Sequence, residues 1–305
     1  MNWVDFKAPI DYISYPLLDQ KDITLAILRE DLNHKSISGN KYRKLKYNIL
    51  EAKQLGYKKI LTFGGAYSNH IAATAAAAKL NHIEAVGIIR GEEISELIQQ
   101  NATLRFAQAQ GMQFKFVSRE EYRLKDQVDY LNQLKSEFLG YYIIPEGGTN
   151  SLAIKGCEEI LYDECFHFDY ITTAIGTAGT ITGILNSSDN QQNILGFPAL
   201  KSDYFSEEIC KLTERRNFKI INDYHFGGYG KVDDDLIEFI NDFKKTTSIP
   251  LDPIYTGKMI FGIFDLIQNN YFKKGSKILA VHTGGLQGIE GINQIRKKKN
   301  KTIIQ

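Results

Sequence analysis

The stretch "FDYITTAIGTAGTITGIL", Phe168–Leu185, runs from β-branched residues through a turn of small residues into a second apolar segment. Its first part favours a strand ending at Ile175, and its last part favours a helix starting near Gly179. Between them stand Gly176, Thr177, Ala178, Gly179 and Thr180. Small side chains let backbone N–H groups approach an anion, and a helix N-terminus adds partial positive charge. The two threonine hydroxyls are further donors. The stretch has neither the GK[ST] of a Walker loop nor G-x-G-x-x-G followed by an acid. It reads as a cradle for one phosphate group or, alternatively, as a tight strand–helix turn.

The same punctuation recurs in both directions. Strands are expected at "ITLAILR", "KKILTF", "EAVGIIR", "QFKFV", "YYIIP", "NILGFP", "FKIIND" and "KILAVH". Helices are expected over Lys41–Leu55, Ser68–Leu80, Leu97–Gln110, Tyr122–Leu139 and Asn150–Cys165. Strands alternating with helices indicate an α/β protein with mainly parallel sheets flanked by helices. Ligands of such sheets bind beyond the carboxyl ends of the strands. The loops "GGAYSNH", "EGGTN", "GTAGT" and "HTGGLQG" fall there. No tandem repeat or Pro/Ser-rich linker divides the chain.

Composition excludes several function classes. The 305 residues carry a net charge of +1, from 37 basic and 36 acidic side chains. No global field draws the chain to nucleic acid or to a membrane surface. The late run Arg296-Lys297-Lys298-Lys299 reads as a solvated tail. Cys157, Cys165 and Cys210 form no CxxC pair, so neither zinc nor a disulfide framework is indicated, and no metal site is expected. "MNWVDFKAPIDY" is not patterned as a secretory signal, and no run of 18 apolar residues occurs. A cytoplasmic location is expected.

Two stretches carry candidate chemistry beside the phosphate turn. In "TFGGAYSNHIAATAAAAKL", Thr62–Leu80, either Ser68 or Asn69 can cap the helix, and Ser68, Asn69 and His70 put three polar groups at its start. The alternative for His70 is a structural histidine. No G-x-S-x-G is present, so Ser68 is not a hydrolase nucleophile. In "SISGNKYRKLKYN", Ser36–Asn48, Lys41 follows the Gly39-Asn40 turn. A lysine there, a phosphate cradle and glycine-flanked hydroxyls at Tyr229, Tyr255, Thr256 and Thr283 suit pyridoxal 5′-phosphate, which needs a Schiff-base lysine. A solvated basic helix is the other reading.

In order along the chain, "SGNKYRKL", "GGAYSNH", "GGTNSLAIKG", "GTAGTITG", "GGYG", "LDPIYTGK" and "HTGG" resemble the D-cysteine desulfhydrase / 1-aminocyclopropane-1-carboxylate (ACC) deaminase family, from about Tyr15 to Gly291. The resemblance implies a two-domain pyridoxal-phosphate enzyme of fold type II, the tryptophan-synthase β fold. Residues 1–40 and 149–305 would form a large domain. Residues 41–148 would form a small one inserted in sequence, with the cofactor between the two. Lys41 would bind the cofactor, Asn69 its phenolic oxygen, Thr177, Ala178, Gly179 and Thr180 its phosphate, and Thr283 would face its ring nitrogen. Ser68 would be catalytic, meeting the substrate carboxylate or assisting proton transfer; Asn69, His70 and Tyr67 would also meet substrate, and Tyr229 and Tyr255 would flank substrate and ring as catalytic tyrosines. A homodimer is also implied.

The resemblance bears on the reaction as well. ACC has no α-hydrogen, so opening its ring calls for a strong electron sink. ACC deaminases place Glu where Thr256 stands and Leu where Thr283 stands. Both differences favour the desulfhydrase-like branch: α,β-elimination from D-cysteine or a similar amino acid, giving pyruvate, ammonia and sulfide. ACC deamination is the alternative, and a non-catalytic binder on the same scaffold is a third reading. Tyr67 stands where related enzymes commonly have Gln, which reshapes the expected pocket.

Overall fold

The structure is a computed structural model that describes residues 3–305. Among them are ten strands: β1 (Ile10–Ile13), β2 (Thr24–Leu28), β3 (Lys59–Gly64), β4 (Glu84–Arg90), β5 (Gln113–Val117), β6 (Tyr141–Ile144), β7 (Tyr170–Ile175), β8 (Asn193–Pro198), β9 (Phe218–Ile220) and β10 (Lys277–Val281). They form a four-stranded sheet ordered β5-β4-β3-β6 and a six-stranded sheet ordered β1-β2-β10-β7-β8-β9. The described chain divides into two compact units, each built on one sheet. Residues 3–4, 35–37 and 41–156 make the first; residues 5–34, 38–40 and 157–305 make the second.

In the first unit every strand pair is parallel. Helix α1 (Asn40–Gln54) stops before Gly56, whose φ of +81° suits a residue without a β-carbon. Helix α2 (Asn69–Leu80) is buried continuously from His70 to Ala78. Its alanines leave room for the helix backbone to lie close to the sheet. Ile60, Ile71, Ala73, Ile89, Leu104 and Met112 share one core layer, while Leu61, Phe63, Val86, Ile88 and Leu134 form another. Alternate residues of β3 thus enter opposite layers, as the two-residue period of a strand requires.

In the second unit β1 pairs antiparallel with β2 and the other pairs are parallel. Leu25 and Ile27 of β2 face one core with Ile240, Ile263 and Ile278. Ala26 and Leu28 face the other with Ile171, Ile181 and Leu279. A sheet buried on both faces reads as continuous apolar runs, as "ITLAIL" does. Three helices matter below: α3 (Gly179–Ser187), α4 (Asp234–Thr247) and α5 (Thr256–Gln268).

Several sequence expectations need correction. The helix expected over Leu97–Gln110 is a 3₁₀ segment to Gln100, then an α-helix from Ala102. Asn101 breaks it, because its side chain accepts the Leu104 N–H at 3.0 Å and caps a new helix. The helix expected over Tyr122–Leu139 is confined to Val128–Glu137. Tyr122 instead ends a short helix and is fastened by its hydroxyl, which donates to Glu146 at 2.7 Å. The α-helix expected to reach Cys165 ends at Cys157. Leu161 is extended there, and Leu161, Cys165 and Phe168 all enter the core. The basic run is not a solvated tail throughout. Arg296 is buried in a helix over Gly288–Lys298 and pairs with Asp234.

Candidate active site

In the second unit the turn before α1 is pressed against the loop after β10. Gly39 has φ +70°, and a β-carbon there would lie 2.0 Å from the Thr283 carbonyl oxygen. The Asn40 N–H donates to that oxygen at 3.2 Å. The Asn40 side chain donates to Thr180 Oγ1 at 2.8 Å, so the Gly39-Asn40 pair touches both the β10 exit and the start of α3. The loop is held by buried His282. Its Nε2 lies 2.7 Å from the Pro250 carbonyl, and its Nδ1 accepts from Gly284 N–H at 3.2 Å. A carbonyl only accepts, so Nε2 carries the proton.

The turn from β7 to α3 is lined by a tyrosine. A β-carbon on Gly176 would fall 2.8 Å from the Tyr255 ring, so the glycine gives that ring its place. Tyr255 donates to the Tyr229 hydroxyl at 3.2 Å, and the two rings meet edge to face at 6.1 Å. Thr180 and Ala178 are buried, whereas Thr177 is half-buried. The first N–H groups of α3 lack partners within their own helix. With the hydroxyls of Thr177 and Thr180 they make a donor set suited to a phosphate group.

Thr256 has another role than the one its position suggested. Its hydroxyl donates to Asp252 at 2.7 Å, and both residues are wholly buried. The same carboxylate accepts the N–H groups of Ile254, Tyr255 and Thr256, each at 2.8 Å. Asp252 therefore caps α5 and fixes the backbone of Tyr255. The sequence signals for Asp252 and Asn40 are slight: "LDP" before a helix and "GN" before a lysine are both capping patterns.

In the first unit Lys41 lies in the opening turn of α1. Ser68 is the N-cap of α2 and accepts the Ile71 N–H at 3.3 Å. That contact uses an oxygen lone pair and leaves the hydroxyl hydrogen able to donate. Tyr67 is exposed. Asn69 Oδ1 and His70 Nδ1 are buried with no hydrogen-bond partner among the described residues. Buried polar atoms are ordinarily paired, so these two are available to a cofactor or substrate. The His70 tautomer follows from Thr62. The Thr62 hydroxyl donates its one hydrogen to the Ile144 carbonyl at 2.9 Å, so at 2.7 Å it accepts from His70 Nε2. Nδ1 is then a bare acceptor. Burial first, and then the charges of Lys41 and Lys44, hold the His70 pKa well below its ordinary value. Lys44 is buried too and donates to the Gly147 carbonyl at 3.2 Å and to Thr149 at 3.1 Å.

This fold and these groups define a pyridoxal-phosphate enzyme of fold type II. Residues 9–284 match the model of the pyridoxal-phosphate dependent enzyme family, and the chain belongs to it. Its cofactor is pyridoxal phosphate. Among its relatives is a Pyrococcus abyssi protein provisionally named 1-aminocyclopropane-1-carboxylate deaminase. It is 30% identical over 94% of this chain and 91% of its own. An Arabidopsis thaliana relative is named as a bifunctional, mitochondrial D-cysteine desulfhydrase/1-aminocyclopropane-1-carboxylate deaminase. It is 29% identical over 87% of this chain and 73% of its own. A crystal structure of an ACC deaminase homologue superposes with a TM-score of 0.78. It is 27% identical and covers 93% of this chain and 90% of its own. No helix among the described residues is long and apolar enough to cross a membrane.

Proposed function

We propose that the chain is a lyase catalysing α,β-elimination from D-cysteine or a similar amino acid, with pyruvate, ammonia and sulfide as products. Two positions carry the choice of branch, and the first is Thr283. It is a neutral residue, buried in the loop at the end of β10 and fixed by its contact with Gly39. A hydroxyl there does not supply the negative charge that a strong electron sink calls for. The second is Thr256, where ACC deaminases place Glu and where this chain offers only a hydroxyl, engaged by Asp252.

Bound pyridoxal phosphate supplies an electron sink that makes the substrate α-proton acidic. Lys41 is the residue we assign to tether the cofactor and to take that proton at Nζ. A positioned proton acceptor contributes typically about 10²–10⁴-fold. Thr177, Ala178, Gly179 and Thr180 hold the phosphate, and Asn69 the phenolic oxygen. The Ser68 hydroxyl donates to the substrate carboxylate, with His70 and Tyr67 beside it. Tyr229 and Tyr255 flank substrate and ring. The proposal includes the division at residues 41–148, a homodimer and a cytoplasmic location. The first two come from the family resemblance, and the last is in keeping with three free cysteines.

ACC deamination is the second reading, favoured by the names of the Pyrococcus and Arabidopsis relatives. Purified protein loaded with cofactor separates the two. Sulfide and pyruvate from D-cysteine, with no 2-oxobutyrate from ACC, are expected. The reverse pattern assigns the alternative. Loss of the cofactor's visible absorbance band in Lys41→Ala is expected on either reading. A retained band would remove Lys41 from its assigned role.

A further inference from the structure

Lys258, in the first turn of α5, is 2% exposed. Its Nζ donates to the carbonyls of His225 and Gly228, each at 2.9 Å, and of Ala199 at 3.3 Å. Three donors thus meet three carbonyls, with no carboxylate among them. Burial pulls its pKa down to about 8, against the opposing charges of Asp252 and Asp233. A buried ammonium is costly unless it is hydrogen-bonded, so its presence calls for a reason.

The reason lies in what it holds. Residues 225–230, "HFGGYG", form turns: the Gly228 N–H donates to the His225 carbonyl at 3.0 Å and the Gly227 N–H to His225 Nδ1 at 3.0 Å. Phe226, Gly227, Gly228 and Gly230 all have positive φ, and glycine loses more conformational freedom on ordering than other residues. Phe226 packs edge to face on Phe261 of α5 at 5.0 Å, which anchors the start of the segment. Tyr229 itself is 44% exposed, between buried Gly228 and half-buried Gly230. A neutral side chain cannot offer three donors in three directions; an ammonium can.

We propose that Lys258 is a positioning residue: its ammonium fastens the Tyr229 segment to the end of β8 and so presents the Tyr229–Tyr255 pair. This rests on the assignment of the two tyrosines to the substrate.

Hydrogen exchange read by mass spectrometry on the cofactor-loaded protein tests it without depending on the substrate. In Lys258→Met, which keeps the length and loses the charge, amides of residues 226–231 should exchange about 10-fold faster or more, the size expected for a lost charged-donor hydrogen bond. Amides of β7 and β8 should not change. In Lys258→Ala, methylammonium should restore protection where an equal concentration of tetramethylammonium, which has no N–H, does not. With whichever amino acid the wild type turns over, kcat should fall more than KM rises. Unchanged exchange over 226–231 overturns the proposal. So does exchange accelerated equally throughout the second unit, or failure of both variants to fold, since either makes Lys258 a core residue. If the wild type turns over neither D-cysteine nor ACC, the substrate assignment fails and the exchange comparison still decides the role of Lys258.

Discussion

Gly39 and Thr283 are in backbone contact: the space a β-carbon on Gly39 would fill is occupied by the Thr283 carbonyl, 2.0 Å away. The contact joins the turn that launches Lys41 to the loop that carries the proposed ring-nitrogen partner. Gly39→Ala meets two obstacles. A left-handed conformation costs a residue with a side chain about 1–2 kcal/mol, and the clash is with backbone that no rotamer change relieves. We expect a lowered urea midpoint and lost cofactor retention. A variant with the wild-type midpoint and full cofactor content would show that the turn is not under this constraint.

His70 makes a prediction about acid stability. The ordinary His pKa is about 6.5, and burial holds the folded value well below that. As pH falls through 6.5 the unfolded chain takes up a proton at this position while the folded chain does not. The unfolded state therefore binds more protons, and stability drops with falling pH. Thermal melts at pH 7.5 and pH 5 should show a smaller difference in His70→Gln than in the wild type. An equal or larger difference in the variant would mean that His70 is protonated in the folded protein.

The three cysteines should separate sharply by reactivity. Cys157 and Cys165 are buried, and burial raises the Cys165 pKa to about 11, so little thiolate forms at pH 8. Cys210 is exposed. Titration of the native protein with a chromogenic disulfide should release one equivalent quickly and the other two only on unfolding. Two fast equivalents would place a second thiol at the surface.

Much of this was legible in the sequence because it was local. The strand, small-residue turn and helix of Phe168–Leu185 lie where their composition put them, since β-branched residues and small turn residues act within their own neighbourhood. The caps inside Leu97–Gln110 and before Thr256 were harder. Asn101 lies within an otherwise helical pattern, and only its bond to Leu104 reveals the break. β1 is four half-buried or exposed residues with a weak pattern, and its place comes from pairing with β2. Lys258 and His282 were invisible as positioning groups, because their partners are carbonyls from distant loops and a carbonyl leaves no mark on a sequence.

Two threonines that look equivalent in sequence should behave oppositely when replaced. Thr256 donates to a buried carboxylate that also holds three N–H groups at the start of α5. Thr256→Val removes one donor from Asp252 and also leaves the Asp252 N–H without its acceptor. A hydrogen bond to a charged group is worth about 1.5–3 kcal/mol, so the unfolding free energy from a urea melt should fall by that order while the product remains the same. Thr283→Val keeps the shape and removes the hydroxyl that we assign to the ring nitrogen. It should leave the midpoint near the wild-type value and lower kcat. The two measurements on the two variants form a cross. If Thr256→Val changed the product while Thr283→Val changed only stability, the choice of elimination over ring opening would have to be argued from Thr256 and Asp252 alone.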